Sequence, residues 1–187
     1  MNVTEAISSR RAVRAYAPRK VEEATLRSLL RAAVQAPSAM NRQPWLFSVV
    51  QDPAQLKRYS DRAKRMLLVT TNGDSKISRY KDLLESPGFN IFYDAGTLVV
   101  IGVGEGGHYA DADCWLAAAT LMLAATEVGL GSCCIGFAIP LLNTPEVKAE
   151  LGLPVAGAAV APIILGYPTG DLPPVARNEP KIVSWSR

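Results

Sequence analysis

Arg10, Arg11 and Arg14 fall in one short run, Ser8-Ser9-Arg10-Arg11-Ala12-Val13-Arg14-Ala15-Tyr16. A guanidinium is a planar, permanently charged fork of donors, and it suits an anion with several oxygens, above all a phosphate. Taken alone, such a cluster is more often a solvated face. A second segment adds weight to the anion reading. Pro37-Ser38-Ala39-Met40-Asn41-Arg42-Gln43-Pro44-Trp45 brings small residues, amides and hydroxyls together just ahead of an apolar run. A loop of this kind can lie flat against an aromatic ring system and satisfy the polar edge of that ring. It can equally be an ordinary helix-to-strand connector.

Other chemistries are constrained by what is scarce. His108 is the single histidine, so a histidine-rich zinc site is excluded, and any Ser-His-Asp or Cys-His triad would have to run through it. If the chain is an enzyme, a cofactor is expected to carry the reaction. Cys114, Cys133 and Cys134 form no metal-binding spacing, and the adjacent pair is awkwardly placed for a mutual disulfide. A redox role for that pair is the sharper reading; inert thiols in an apolar stretch are the commoner case. Gly102-Val103-Gly104-Glu105-Gly106-Gly107 satisfies GxGxxG, but it sits mid-chain, its helix starts late, and the acidic residue at the right distance, Glu127, lies inside a helix. A flexible turn is the simpler reading.

The bulk composition sets further limits. The 187 residues carry a net charge of +3, with 49% hydrophobic and 20% charged residues. That charge is too small to argue for nucleic acid. The hydrophobic content suggests extra burial, against a cofactor or a second copy of the chain. No apolar run reaches the about 20 residues of a membrane span, and the N-terminus does not read as a signal peptide. The expected setting is cytoplasmic, with reduced thiols.

The elements that must position these residues follow from periodicity and capping. Thr4 can cap a short helix to about Arg10. Leu26, Leu29, Leu30, Ala33 and Val34 share one face of a helix over Glu22–Gln35, which Pro37 ends. Trp45–Val50 reads as a strand, and Asp52-Pro53 opens a third helix. Residues 71–90 read as an irregular connection with some helix. Thr97–Val103 is a buried strand. Asp113–Val128 is a helix apolar nearly all round, stopped by Gly129, and so expected to be buried on every side, at a dimer interface. Ser132–Ile135 and Ala158–Leu165 are further strands, with a helix from Thr144-Pro145 to Leu151 between them. The tail from Tyr167 is Pro-rich and extended, and Ile182–Trp185 can add as an edge strand, reaching across a partner. Helices and strands mix without strict alternation, which favours α+β.

In order and spacing, four motifs resemble those of the FMN-dependent nitroreductase family. They are Ser9–Tyr16, Ala36–Trp45, Gly129-Leu130-Gly131-Ser132-Cys133-Cys134-Ile135-Gly136, and Leu165-Gly166-Tyr167-Pro168 with Arg177 in the tail. The resemblance spans nearly the whole chain. It implies one domain over residues 1–187 with an α/β sandwich fold: a central, mostly antiparallel sheet flanked by helices. It also implies an intertwined homodimer that exchanges the arm from about residue 167. By the same match, Arg10 and Arg11 hold the phosphate and ribityl end of FMN and Arg14 approaches the N1/O2 edge of the ring. A cation there would stabilise the negative charge left by reduction. Position 12 is alanine where the family more often has serine, so one hydroxyl contact is lost. Pro37, Ser38, Ala39, Asn41 and Gln43 match the loop laid on the ring by the other subunit. Cys134, Ile135 and Gly136 match the segment whose backbone faces flavin N5, and Arg177 matches a tail residue that returns to the phosphate.

The implied activity is hydride transfer from NAD(P)H through flavin N5 to a small electron-poor acceptor (nitroaromatic, quinone or enone) by a ping-pong mechanism, with no side chain as acid or base. The alternatives are a specialised flavin enzyme of the same family, such as a dehalogenase or dehydrogenase, a non-turnover FMN store or sensor, and a domain without flavin whose arginines face solvent.

Overall fold

The computed structural model describes residues 1–70, 78–105 and 107–186, with only the backbone of Thr70. Two expectations therefore fall partly outside the described residues: the irregular connection at 71–77 and Gly106 of the glycine-rich turn.

Four strands form one antiparallel sheet: β1 (Trp45–Val50), β2 (Thr97–Val103), β3 (Gly131–Cys134) and β4 (Ala158–Gly166), in the order β1-β2-β4-β3. The expected strands agree with these to within a residue at either end. Every residue of β2 is buried, which is why its sequence is apolar without alternation. Val99, Ile101 and Val103 point to one face, joining Ile163 and Leu165 beneath α2 (Glu23–Ala33) and α5 (Ala110–Glu127). Leu98 and Val100 point to the other, joining Ile164 beneath α3 (Pro53–Thr70) and α6 (Ile139–Leu142). Helices on both faces of an antiparallel sheet make the α+β sandwich expected from the motifs. Shorter helices, α1 (Val3–Ser9), α4 (Lys81–Glu85) and α7 (Pro145–Glu150), complete it.

Capping explains most helix boundaries. The Asp52 side chain accepts from the Ala54 amide at 2.9 Å with Pro53 in the first helical position, and Thr144 accepts from Val147. The start of α1 differs from expectation. Asn2, not Thr4, is the cap, because Asn2 and Glu5 exchange two 2.9 Å bonds that satisfy two orphan donors at once. Helix α5 starts three residues earlier than its hydrophobic run, with Asp111 and Asp113 in the first turn where the helix dipole favours acids. It ends at Gly129, whose φ of 74° suits a residue without a Cβ.

In the single chain α5 is not buried all round. Cys114, Ala117, Ala118, Leu121 and Ala125 face the sheet, while Trp115 and Leu116 are 39% and 44% exposed. The tail differs too: Ile182–Trp185 joins no strand, and residues 171–186 are all exposed. Among the described residues no helix is long and apolar enough to cross a membrane.

The β3 edge is covered by the chain between α1 and α2. Ala12 pairs with Ser132 in parallel, Tyr16 with Pro168, and the Val13 amide donates to Ser132 at 3.0 Å. This segment lies close because Gly131 and Gly166 carry no side chains. A Cβ on Gly131 would stand 2.8 Å from three side-chain carbons of Val13, and one on Gly166 would stand 2.8 Å from the Tyr16 ring. Gly131→Ala is expected to lower stability by about 1–3 kcal/mol, the usual cost of overpacking, read as a fall in the urea midpoint. An unchanged midpoint would show that Val13 moves aside freely.

Candidate functional site

The arginine segment begins where α1 ends. Arg10, the C-cap, has φ −55° and ψ 130°, which turns the chain from helix to extended. Two further bonds hold it beside the sheet, Ala17 amide to Tyr167 carbonyl at 2.8 Å and Thr169 amide to Ala15 carbonyl at 3.0 Å. Arg10 and Arg11 are half-buried and Arg14 is exposed. Arg11 donates to the carbonyls of Ser8 at 2.5 Å, Arg10 at 3.0 Å and Pro173 at 3.1 Å. Arg14 stands 5.8 Å over the ring of Tyr93. Among the described residues no carboxylate pairs with any of the three, whereas Arg19 and Arg58 each have one and Arg62 has two. A run of cations left without internal counter-ions is poised for an external anion.

The neighbouring groups stay neutral. Burial pushes the Cys133 thiol up, partly offset by the guanidiniums of Arg14 and Arg10. Burial, with a smaller contribution from Cys133, holds the Tyr16 hydroxyl far above its ordinary value; it donates to Val13 at 2.7 Å. Neither group offers a base at neutral pH.

Next along β3 come Cys134 (half-buried), Ile135 (buried) and Gly136 (exposed). The Ile135 amide donates to Pro162 at 2.9 Å, and the chain then turns through Gly136–Ala138. A Cβ on Gly136 would meet nothing within 4 Å, so a surface here is open to a flat ligand. The ring of Phe137 meets that of Tyr80 edge-on at 5.2 Å.

The loop at 37–43 holds an unusual backbone. Met40, Asn41 and Gln43 have φ of 53°, 54° and 48°, in the left-handed region. Three bonds fix it: the Ala39 amide to Asp113 Oδ1 at 3.1 Å, the Gln43 amide to Ser38 Oγ at 3.0 Å, and Gln43 Nε2 to Asn41 Oδ1 at 3.1 Å. Ser38 and Ala39 are half-buried; Pro37, Asn41 and Gln43 are exposed.

The structure lays the segment carrying Arg10, Arg11, Ala12 and Arg14 beside β3 through the Ala12–Ser132 pair, with Cys134 at the end of that strand and Ile135 and Gly136 just past it. It does not bring in the loop. That loop leads into β1, at the opposite edge of the sheet, with β2 and β4 between. Three strand spacings of about 4.8 Å put the edges about 14 Å apart. Arg177 is exposed in the tail, which meets the arginine segment only through Pro173 and Arg11. Sequence reasoning missed Asp113 as the anchor of the loop: its position at the head of an apolar helix was visible, its contact with a loop 74 residues away was not. It missed Tyr93 beneath Arg14 as well, for which no local signal exists.

The family model described as Nitroreductase family matches residues 7–167. The chain belongs to the nitroreductase family. Its members are oxidoreductases, and the match takes in the arginine segment, the strained loop and the Gly136 turn, ending before Arg177. Within the family the chain is 31% identical to the iodotyrosine deiodinase of Thermotoga neapolitana, covering 91% of this chain and 90% of that protein. It is 28% identical to an NADH dehydrogenase of Thermus thermophilus, over 99% of this chain and 96% of that one. The crystal structure of a Bacteroides fragilis nitroreductase with bound FMN superposes with a TM-score of 0.85, at 28% identity and 100% of both chains.

The buried thiols give this nitroreductase fold a pH signature. Burial raises Cys114 to about 12 and Cys134 to about 11, and Cys133 in the same direction, from an ordinary 9.0. Above pH 9 the unfolded chain therefore releases thiol protons that the folded chain retains. Stability is complete below that pH and is expected to fall as pH rises toward about 12. Urea midpoints across this interval should drop less steeply for Cys114→Ala; equal slopes would show that this thiol is not perturbed.

Proposed function

We propose that this chain is an FMN-dependent oxidoreductase, acting as a homodimer that passes reducing equivalents from NAD(P)H to a small electron-poor acceptor such as a nitroaromatic, quinone or enone. The observation that carries the reading is the set of three guanidiniums on the extended segment beside β3, without a carboxylate among the described residues. That donor set fits a phosphorylated flavin. Arg10 and Arg11 would hold the phosphate and ribityl chain, and exposed Arg14, backed by Tyr93, the N1/O2 edge of the ring. Ala12 offers no hydroxyl. Cys134, Ile135 and Gly136 would lie along the ring, with the open surface at Gly136 accommodating it.

The dimer follows from where the other residues stand. Pro37, Ser38, Ala39, Asn41 and Gln43 lie at the far edge of the sheet, so the loop that covers this flavin comes from a second copy. The exposed face of α5, with Trp115 and Leu116, gives that copy an apolar surface to bury. The tail would bring Arg177 to the phosphate before crossing to the partner. Residues 1–187 would form one domain in this reading. Three free thiols suit a reducing, cytoplasmic setting.

FMN, when bound, supplies hydride transfer in two alternating half-reactions on one exposed face. The chain's own residues bind, orient and exclude water. Arg14 supplies positive charge where reduction leaves negative charge. Tyr16 and Cys133 stay protonated, so no side chain beside the arginines moves a proton, which suits a sequence with one histidine.

Titration with FMN, followed by anaerobic mixing with NADH or NADPH, tests the reading. Yellow protein should form, bleach with at least one nucleotide and regain colour with a nitroaromatic or quinone. Bound flavin that neither nucleotide bleaches would leave a store or sensor, and a colourless protein would end the flavin reading. In Arg14→Ala, FMN affinity should fall on the order of tenfold and the reduction potential should become more negative. An unchanged potential in the flavin-loaded variant would remove Arg14 from the ring.

A further inference from the structure

Just past the Gly136 turn, three side chains stand in a row that the flavin reading leaves unused. Phe137 is half-buried and packs on the core beneath α3 and α6. Its ring meets Tyr80 edge-on at 5.2 Å, and the Arg79 guanidinium lies over Tyr80, 4.7 Å from the ring centre. The row is rooted in the fold. Tyr80 immediately precedes α4, and its carbonyl accepts at 2.9 Å from the amide of Leu84, which is fully buried. Stacking leaves a guanidinium able to do more: its face rests on the ring, while its donors lie in its plane and stay free at the edge. Arg19 and Arg58 also stack on tyrosines, but Glu22 and Glu150 occupy their donors. Arg14, over Tyr93, is assigned to the flavin. Arg79 is exposed and pairs with no carboxylate among the described residues; in α4, Glu85 pairs with Lys81 instead.

We propose that Arg79, held in place by Tyr80 and Phe137, selects acceptors that carry an anionic group on an aromatic ring, a carboxylate above all. The inference rests on the flavin reading above, which lays the flavin ring along Cys134, Ile135 and Gly136. An acceptor on the exposed face of that ring has Phe137 and Tyr80 beside it as an aromatic wall, with the guanidinium one ring's breadth further out. So short a reach favours a charge borne directly on a small ring. The phosphates of a nicotinamide nucleotide stand at least a ribose away from the reacting ring. A carboxylate offers two oxygens to the planar fork of donors, so the pair can be bidentate. Tyr80 is a positioning residue: it acts by fixing where the guanidinium stands.

Unreactive probes titrated into the oxidised, FMN-loaded protein test this without turnover. Benzoate and benzamide have nearly the same shape and differ in charge. Read by the change in flavin absorbance, benzoate should bind at least about fivefold more tightly than benzamide. Arg79→Gln should remove most of that preference, and Arg79→Glu should reverse it. Tyr80→Leu should shrink it, because the guanidinium loses its support. The same order should appear in kcat/KM for 4-nitrobenzoate against 4-nitrobenzamide. No preference in the wild type, a preference that survives Arg79→Gln, an equal loss for both probes, or no binding of either would overturn the proposal. So would an Arg79→Gln protein whose flavin is bleached normally by NADH but slowly by NADPH, since the guanidinium would then serve the phosphate of the nucleotide. Wild-type protein that takes up no FMN would instead remove the flavin reading itself, and this inference with it.

Discussion

The contact between Val13 and Gly131, with its neighbour between Tyr16 and Gly166, governs the rest of the structure. Side chains at the two glycines would push the segment after α1 away from β3. Because they are absent, a chain carrying three guanidiniums lies flat on the sheet edge, tied by amide bonds to Ser132 and Tyr167. A backbone held by the sheet beneath cationic side chains suits anion recognition: register comes from the sheet, charge from the side chains. Beside this segment the buried Cys133 thiol and the half-buried Tyr16 hydroxyl stay protonated, so the site is cationic without offering a base.

That placement divides the molecule. One edge of the sheet holds the cations and the open Gly136 surface; the other holds the strained loop and an unpaired strand. A single chain cannot fold them together, since β2 and β4 are buried on both faces and keep the edges apart. In the proposed two-fold dimer each copy would supply one half to each of two sites, without new elements. The exposed apolar face of α5, with Trp115 and Leu116, would be buried in that proposed dimer.

The loop shows how such a site is kept ready. Three non-glycine residues with left-handed backbone cost of order 1–3 kcal/mol each. The Asp113 carboxylate, buried at the head of α5, and the Ser38 hydroxyl hold the loop in that form by bonding amides that would otherwise be unpaired. A loop held in this form would need no ordering step in the proposed site.

Much of this was legible in the order of residues. Local rules suffice where the physics is local. Apolar runs and β-branched residues placed all four strands. Pro53 and Thr144-Pro145 placed helix starts, and Gly129 a helix end. The arginine run and the loop of small polar residues stood out by composition, and the family resemblance, not composition, gave them their proposed roles. The N-cap of α1 went astray because two candidates stood two residues apart, and only the reciprocal bonds of Asn2 with Glu5 separate them. The tertiary structure alone decided which distant groups meet: Asp113 with the loop, Tyr93 with Arg14, Gly131 with Val13. It also decided that the two halves lie at opposite edges of one sheet. Strand order is set by how the faces of the helices pack, and no stretch of sequence records it.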